Sequence, residues 1–178
     1  LVFPMCGNAE LRTPVHVPCA DLDLDRLAAR PDHRGVQARL EASKQIAEYV
    51  KKNCKGATVI LSGDFNVTQN SDSYKVLATS KVLKDTYDLA KYRFEPTGTF
   101  NGFNPRRYTT HRIDHIFVTK QIKVRNYAVL TDGYWTELKE PTKSVKGYAA
   151  PKEINFKKHD HRCPSDHYPV MIKVDFAK

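Results

Sequence analysis

The sequence predicts an α/β (α+β) fold in which short strands alternate with helices and long loops. Strands are indicated by short apolar runs rich in β-branched residues at 57–62, 112–119, 122–130 and 168–176. A helix is indicated by apolar residues at helical spacing within residues 33–55. Polar clusters lie where several of these strands begin or end. The α/β (α+β) class therefore predicts that functional side chains lie at the ends of strands.

The chain of 178 residues has the size of one domain and can bury a core without disulfides or metals. Residues 1–31 form an atypical N-terminal segment, because four prolines interrupt them and no clean period emerges. We therefore assign the orderly domain to residues 32–178. The cysteines show no zinc-binding spacing and are expected to be ordinary thiols, although a disulfide between Cys6 and Cys19 stays open.

The first predicted element of this domain is a helix. Asp32 is suited to cap it, lysines fill its last turn and Gly56 ends it. Its apolar positions fall near helical spacing at Val36, Leu40, Ala47 and Val50. The strand at residues 57–62 is expected to be buried, and it leads directly into the polar run GDFN at residues 63–66.

Less regular segments follow. Residues 71–77 predict a short helix, and residues 83–90 predict a turn or strand. A loop rich in glycine, asparagine and proline extends over residues 95–108. Residues 131–164 form a long irregular stretch that we interpret as an active-site loop, because compact domains rarely keep such loops without a functional reason.

The strand at residues 112–119 contains an unusual carboxylate. Asp114 lies among apolar residues, where an unpaired carboxylate costs several kcal/mol, so we expect a partner such as an imidazole. His115 points to the opposite face and is expected to be a packed or surface histidine with a structural role.

Two further strands follow. In the first, the apolar residues of one face alternate at Ile122 and Val124. After a slip in this alternation, they continue at Tyr127 and Val129. The last strand is expected to be half-buried through one alternating apolar face, consisting of Val170, Ile172, Val174 and Phe176.

The formal net charge of +9 favours polyanionic, phosphate-bearing partners without specifying one. No apolar run reaches the length of a membrane-spanning helix, and residues 1–10 lack the order of a signal peptide. A soluble protein is expected. Its compartment stays open between the cytoplasm and export after removal of a signal peptide.

Three polar clusters have the residue types that phosphoryl transfer requires. Asp64 and Asp166 are hard oxygen ligands suited to magnesium, Asn66 can donate its amide to a phosphate oxygen, and His167 titrates near neutrality. Taken singly, each has a structural alternative, because Asp64 can form a turn after Gly63 and the Asp-His pair can simply begin a strand.

Together these clusters resemble the late motifs of the endonuclease/exonuclease/phosphatase superfamily. The resemblance is carried by SGDFN at residues 62–66, RIDHIF at 112–117 and PSDHYPV at 164–170, in the same order and with fitting spacing. DHRG at residues 32–35 and TGTF at 97–100 are similar to linking segments of bacterial members.

The resemblance implies a deoxyribonuclease I-like sandwich of two sheets flanked by helices, and cleavage of phosphodiester or phosphomonoester bonds with Mg²⁺ or Mn²⁺. In such a site His167 acts as general base toward water, Asp114 orients His167, and Asp166 belongs to the metal cluster. Asp64 and Asn66 contact the phosphate, the water or the metal.

The sequence also departs from the family's pattern. The early strands that carry an asparagine and a metal-binding glutamate are not found, and Arg30 occupies the position of a family histidine. Glu10 follows no apolar run and is not expected to bind metal. The fold therefore resembles the C-terminal portion of the domain, and we expect a homo-oligomer or a complementing chain.

A rival interpretation is a catalytically silent basic module. It would bind nucleic acid or a protein partner through Arg106, Arg107, Arg112 and the lysines of the long loop, with Tyr108 beside the arginines. Such clusters are also found as solvated loops.

Overall fold

The computed structural model describes residues 3–7, 33–138 and 159–176. In chain order, the described elements are β1 (Phe3–Gly7), α1 (His33–Asn53), β2 (Thr58–Asp64), α2 (Asp72–Ala78), β3 (Lys84–Asp85), α3 (Thr86–Leu89), β4 (Tyr92–Phe94), β5 (Asp114–Val118), β6 (Ile122–Val129), β7 (Tyr134–Glu137), β8 (His159–Arg162) and β9 (Val170–Phe176).

The predicted long helix corresponds to α1, although its buried face differs from the expected one. Val36 is 50% exposed, whereas the buried positions are Gly35, Ala38, Ser43 and Val50. Small residues allow a neighbouring element to approach closely, and α1 lies against α2. The prediction that Val36 lies on the buried face of α1 was therefore wrong, because the small residues of the helix pack against its neighbour instead. The predicted cap, Asp32, lies outside the described residues.

The first sheet has the order β1-β2-β5-β3, and each neighbouring pair in it is antiparallel. Alternate residues of β2 are buried, including Val59 and Leu61 at 0% exposure. They pack with Leu77 of α2 and Phe117 of β5 in a core on the helical side of this sheet. The burial of β2 follows the sequence prediction and places its polar end at the edge of the core.

The second sheet has the order β4-β6-β9, in which β4 is parallel to β6 and β9 is antiparallel to it. The pairing register shifts between Val124 and Asn126, where the sequence predicted a slip. Residues of both sheets join a second core, to which Val118, Tyr127 and Val129 contribute. The predicted α/β (α+β) class with two packed sheets and flanking helices is confirmed.

Three details of the sequence analysis are corrected. Phe176 is 60% exposed, so it does not share the burial expected for its face of β9. Strand β1 pairs with β2, although no element was predicted within residues 1–31. Strands β7 and β8 pair within the stretch that was predicted to be irregular, and Trp135 stacks on His161 with ring centroids 4.7 Å apart. This pairing joins residues far apart in sequence, so no local pattern indicated it.

Cys54 and Cys163 are buried and take part in no disulfide, which agrees with the expectation of ordinary thiols. Cys19, and with it the disulfide alternative, lies outside the described residues, as do Glu10 and the lysine-rich residues 139–158. Among the helices that the structure describes, none has the length and apolar character that crossing a bilayer requires.

Candidate active site

Two of the predicted carboxylates lie side by side because their strands are paired. Strand β2 ends at Asp64, strand β5 begins at Asp114, and the antiparallel register aligns these two residues. Both side chains are half-buried. The chain after β2 stays close to β5, since the Phe65 N–H donates to the Ile113 carbonyl over 2.9 Å.

The third motif contributes an imidazole to this edge. The Nδ1 atom of His167 lies 2.9 Å from the Oδ2 atom of Asp114, although the two residues are 53 positions apart. A carboxylate can only accept, so Nδ1 carries a proton, and in the neutral ring Nε2 presents a lone pair. The expected imidazole partner of Asp114 is therefore His167.

The carboxylates around His167 control its proton affinity. Burial alone would lower the pKa of His167, but the hydrogen bond and charge of Asp114, followed by the charges of Asp64 and Asp166, raise it above the ordinary value. All three carboxylates lie near enough for their charges to act on the ring. The structure thus brings His167 together with Asp114, Asp64 and Asp166.

Asn66 is held against Asp64 by a tight turn. Its backbone N–H donates to Asp64 Oδ1 over 2.8 Å, and its Nδ2 donates to Oδ2 over 3.0 Å. Its φ of 51° lies in the left-handed region, which asparagine tolerates better than most residues. An amide nitrogen carries two protons, so exposed Asn66 keeps one donor for a ligand. The structural and functional interpretations of Asp64 are therefore both compatible with this geometry.

Asp166 is fixed through its main chain. Its carbonyl accepts from the N–H groups of Asn101 and Gly102 at 2.8 and 3.0 Å, while its carboxylate, among the residues that the structure describes, makes a long contact of 3.5 Å with the Ser165 hydroxyl. The carboxylate is thereby left able to accept further partners.

The described residues do not form a complete metal site. No group of three or more His, Cys, Asp or Glu side chains within them is arranged to hold an ion. Asp64 and Asp166 offer suitable oxygen ligands, but both oxygens of Asp64 already accept from Asn66. Magnesium is typically held by one or two protein carboxylates together with waters and phosphate oxygens, so Asp166 and Asp64 would supply part of its coordination.

Sequence reasoning missed the contribution of the segment at residues 97–102. Thr99 is fully buried, and its hydroxyl accepts from the N–H groups of Ile113 and Asp114 at 2.9 and 3.1 Å. The residue that could have indicated this contact in the sequence is Gly98, because a Cβ at this position would collide with the carbonyl of His111. Only glycine allows this close approach of the loop to the start of β5.

Arg112 is a correction to the sequence analysis, which placed it among surface cations. It is 5% exposed, and its guanidinium lies 3.2 Å from Asp85 and 3.4 Å from Glu95. Burial alone would lower the pKa of Arg112, but the Asp85 carboxylate raises it. The guanidinium also lies 3.7 Å from the centroid of the Tyr87 ring. Arg112 is therefore part of the interior, and its guanidinium is not accessible to polyanionic partners.

His115 is packed on the opposite side from Asp114, as the strand alternation predicted. Its Nε2 lies 2.9 Å from the Val67 carbonyl, and burial lowers its pKa, so the ring is neutral near pH 7. Its role in the described structure is to fill the core beside Tyr74 and Phe117.

Several known proteins are similar to this chain. The model of the Endonuclease/Exonuclease/phosphatase family matches residues 4–167. A mannosyl-6-phosphatase from Bacteroides thetaiotaomicron VPI-5482 is 37% identical, with a TM-score of 0.67 over 82% of this chain and 48% of that one. An endonuclease/exonuclease/phosphatase family protein from Bacteroides thetaiotaomicron is also 37% identical, with a TM-score of 0.66 over 80% and 47%.

A functionally unknown conserved protein from Enterococcus faecalis V583 is 26% identical, with a TM-score of 0.57 over 82% of this chain and 47% of that one. The chain thus spans about half the length of the solved structures it matches. The comparison with curated proteins found no match.

Proposed function

Because the chain belongs to the endonuclease/exonuclease/phosphatase family, we propose that it forms part of a metal-dependent phosphoesterase in which His167 activates the attacking water. The observation that carries this proposal is the 2.9 Å hydrogen bond between His167 Nδ1 and Asp114. It joins two of the three motifs at the edge where Asp64 ends β2. A carboxylate, an imidazole and a half-exposed strand edge are the parts that general-base catalysis needs.

His167 and Asp114 divide the proton chemistry between them. The Nε2 lone pair takes a proton from water as the water oxygen attacks phosphorus in line with the leaving oxygen. Asp114 holds the Nδ1–H tautomer and stabilises the imidazolium that forms. The free amide proton of Asn66 is placed to donate to a phosphate oxygen, which favours the transition state as charge accumulates there.

A divalent cation, Mg²⁺ or Mn²⁺, is the proposed cofactor, with Asp166 and Asp64 as the ligands that the described residues contribute. When bound, such an ion neutralises the phosphate oxygens. Turnover by the parent chain is expected to require added Mg²⁺ or Mn²⁺ and to stop with EDTA. The measurement is release of product from bis(p-nitrophenyl) phosphate, and hydrolysis unaffected by the chelator would contradict metal dependence.

The substrate class has two candidates. The basic net charge of +9 and the family's nucleases make a phosphodiester, including nucleic acid, the first candidate. Similarity to a mannosyl-6-phosphatase favours a sugar phosphomonoester as the second. Parallel assays with bis(p-nitrophenyl) phosphate and mannose 6-phosphate distinguish them, because each reports one ester class.

The pH dependence of turnover should follow His167. The base is active only when neutral, so activity is expected to rise with pH through the His167 pKa, which its carboxylate neighbours raise above the ordinary value. Asp114→Asn removes the largest raising contribution and leaves the effect of burial. The ascending limb of kcat/KM should therefore move to lower pH in this variant, with lower turnover. An ascending limb at the same pH in both proteins would contradict the assignment.

The rival function is a silent basic module that binds nucleic acid or a protein. Arg106 and Arg107 remain exposed and could serve it, but Arg112 is buried. Salt-dependent binding of nucleic acid without metal-dependent turnover would favour this rival.

The partner is proposed to be a second copy or a complementing chain. Support comes from aromatic residues on the second sheet that are about 60% exposed, Tyr92, Phe94 and Phe176. Sedimentation analysis of the parent chain tests it, and a monomer at all concentrations would contradict self-association.

A further inference from the structure

Thr99 contacts the strand that carries the orienting carboxylate. The residue is fully buried, and its single hydroxyl accepts hydrogen bonds from two consecutive backbone N–H groups, those of Ile113 and Asp114. The Thr99 N–H donates to the His111 carbonyl over 3.3 Å. Three main-chain groups at the start of β5 are therefore tied to one threonine.

The same segment also contacts the motif that carries the imidazole. The Thr99 carbonyl accepts from the Tyr168 N–H over 2.7 Å, and Phe100 forms a β-bridge with His167. The Phe100 ring meets the His167 ring edge-on, with centroids 5.1 Å apart. One short segment thus contacts both residues of the Asp114–His167 pair, whose own sequence separation is 53 positions.

These contacts matter because the pair is joined by one hydrogen bond between half-buried groups. Its 2.9 Å length depends on where β5 begins and on where the 165–169 segment turns. If the Thr99 hydroxyl were absent, two inward-facing N–H donors would lose their acceptor, and relaxation to satisfy them would shift Asp114. A shift of about 1 Å in a catalytic group can lower turnover by about 100-fold.

We propose that Thr99 is a positioning residue, which fixes Asp114 through its hydroxyl and holds the segment that carries His167 through its carbonyl, which accepts from the adjacent Tyr168 N–H. This inference rests on the proposed function of the pair, but the geometry that it asserts can be measured without turnover.

The experiment compares Thr99→Val, Thr99→Ser and Thr119→Val with the parent chain. Valine keeps the shape of threonine and removes the hydroxyl, whereas serine keeps the hydroxyl. Thr119 is a matched control, because it is also buried and its hydroxyl also accepts a backbone N–H, that of Val59 at 3.0 Å, beyond the far end of β5.

Two readouts are taken. Proton NMR follows the downfield Nδ1–H resonance of His167, identified by its loss in His167→Gln, and steady-state kinetics separates kcat from KM. Thr99→Val is expected to weaken or abolish this resonance and to lower kcat by about 10- to 100-fold with little change in KM. Thr99→Ser should retain the resonance and the kcat of the parent chain. Thr119→Val should also retain both, despite a loss of thermal stability comparable to that of Thr99→Val.

Two outcomes would overturn the inference. One is an unchanged Nδ1–H resonance in Thr99→Val, and the other is an equal loss of that resonance in Thr99→Val and Thr119→Val, which would indicate a general structural role. If the parent chain shows no turnover, the proposed function fails, while a resonance lost only in Thr99→Val still supports the positioning role.

Discussion

Replacing His167 by alanine is expected to lower the turnover of a phosphoester by about 10²- to 10⁴-fold, the usual contribution of a general base. The variant removes the Nε2 lone pair and leaves Asp114 without its imidazole partner. The proposed substrate contacts of Asn66 and the carboxylates are untouched, so the loss should appear mainly in kcat. The measurement is hydrolysis of bis(p-nitrophenyl) phosphate with Mg²⁺ or Mn²⁺.

His161→Ala provides the matched control. His161 also packs against an aromatic ring, that of Trp135, but it lies on β8 in the separate two-stranded sheet. Its replacement should leave turnover near that of the parent chain. Equal rates for His167→Ala and the parent would remove His167 from the catalytic role. Circular dichroism of each variant verifies that the fold is retained.

Replacing Arg112 by methionine is expected to lower the free energy of unfolding by about 3–5 kcal/mol, because it leaves the carboxylate of Asp85 buried without its cation. The Asp85 side chain has no exposed area. Its carboxylate also accepts from the Tyr74 hydroxyl at 2.7 Å and the Tyr87 N–H at 2.9 Å, which fix it in place. Methionine keeps much of the arginine stem's bulk, so the loss reports mainly the charge. Urea denaturation measures the change.

Arg125→Met is the control for this prediction. Arg125 pairs with Asp175, but the two side chains are 56% and 41% exposed, so solvent screens the pair. Its removal should cost no more than about 1 kcal/mol. A similar loss of unfolding free energy in the two variants would mean that the buried Arg112–Asp85 pair contributes no more to stability than the exposed Arg125–Asp175 pair.

Arg112 and Asp114, the hydrogen-bond partner of His167, lie close together at the start of β5. Arg112 enters the interior two residues before Asp114, while Asp114 turns toward the half-exposed edge. The start of β5 is thus held from inside by the Arg112–Asp85 pair and from the loop side by Thr99. The proposed catalytic pair joins distant parts of the chain, so it requires that the backbone at Asp114 be held rigidly.

Local sequence patterns determined the elements and the direction of several side chains. The alternation in β5 placed Asp114 and His115 on opposite faces, and the carboxylate within an apolar strand indicated that Asp114 needs an imidazole partner. The slip between Val124 and Tyr127 indicated the register shift in β6. These features follow from side-chain period and from the cost of an unpaired carboxylate, both of which a short stretch of sequence contains.

Tertiary structure alone decided the features that depend on distant contacts. Arg112 looks like a surface cation until Asp85 and Glu95 are found beside it, and Thr99 looks like a loop residue until its hydroxyl meets Asp114. Val36 and Phe176 fit apolar periods but face solvent, because a period identifies a face without stating what covers it. The motifs predicted the chemistry of the site, whereas long-range pairing of β2 with β5 and of Asp114 with His167 brought its groups within hydrogen-bonding distance.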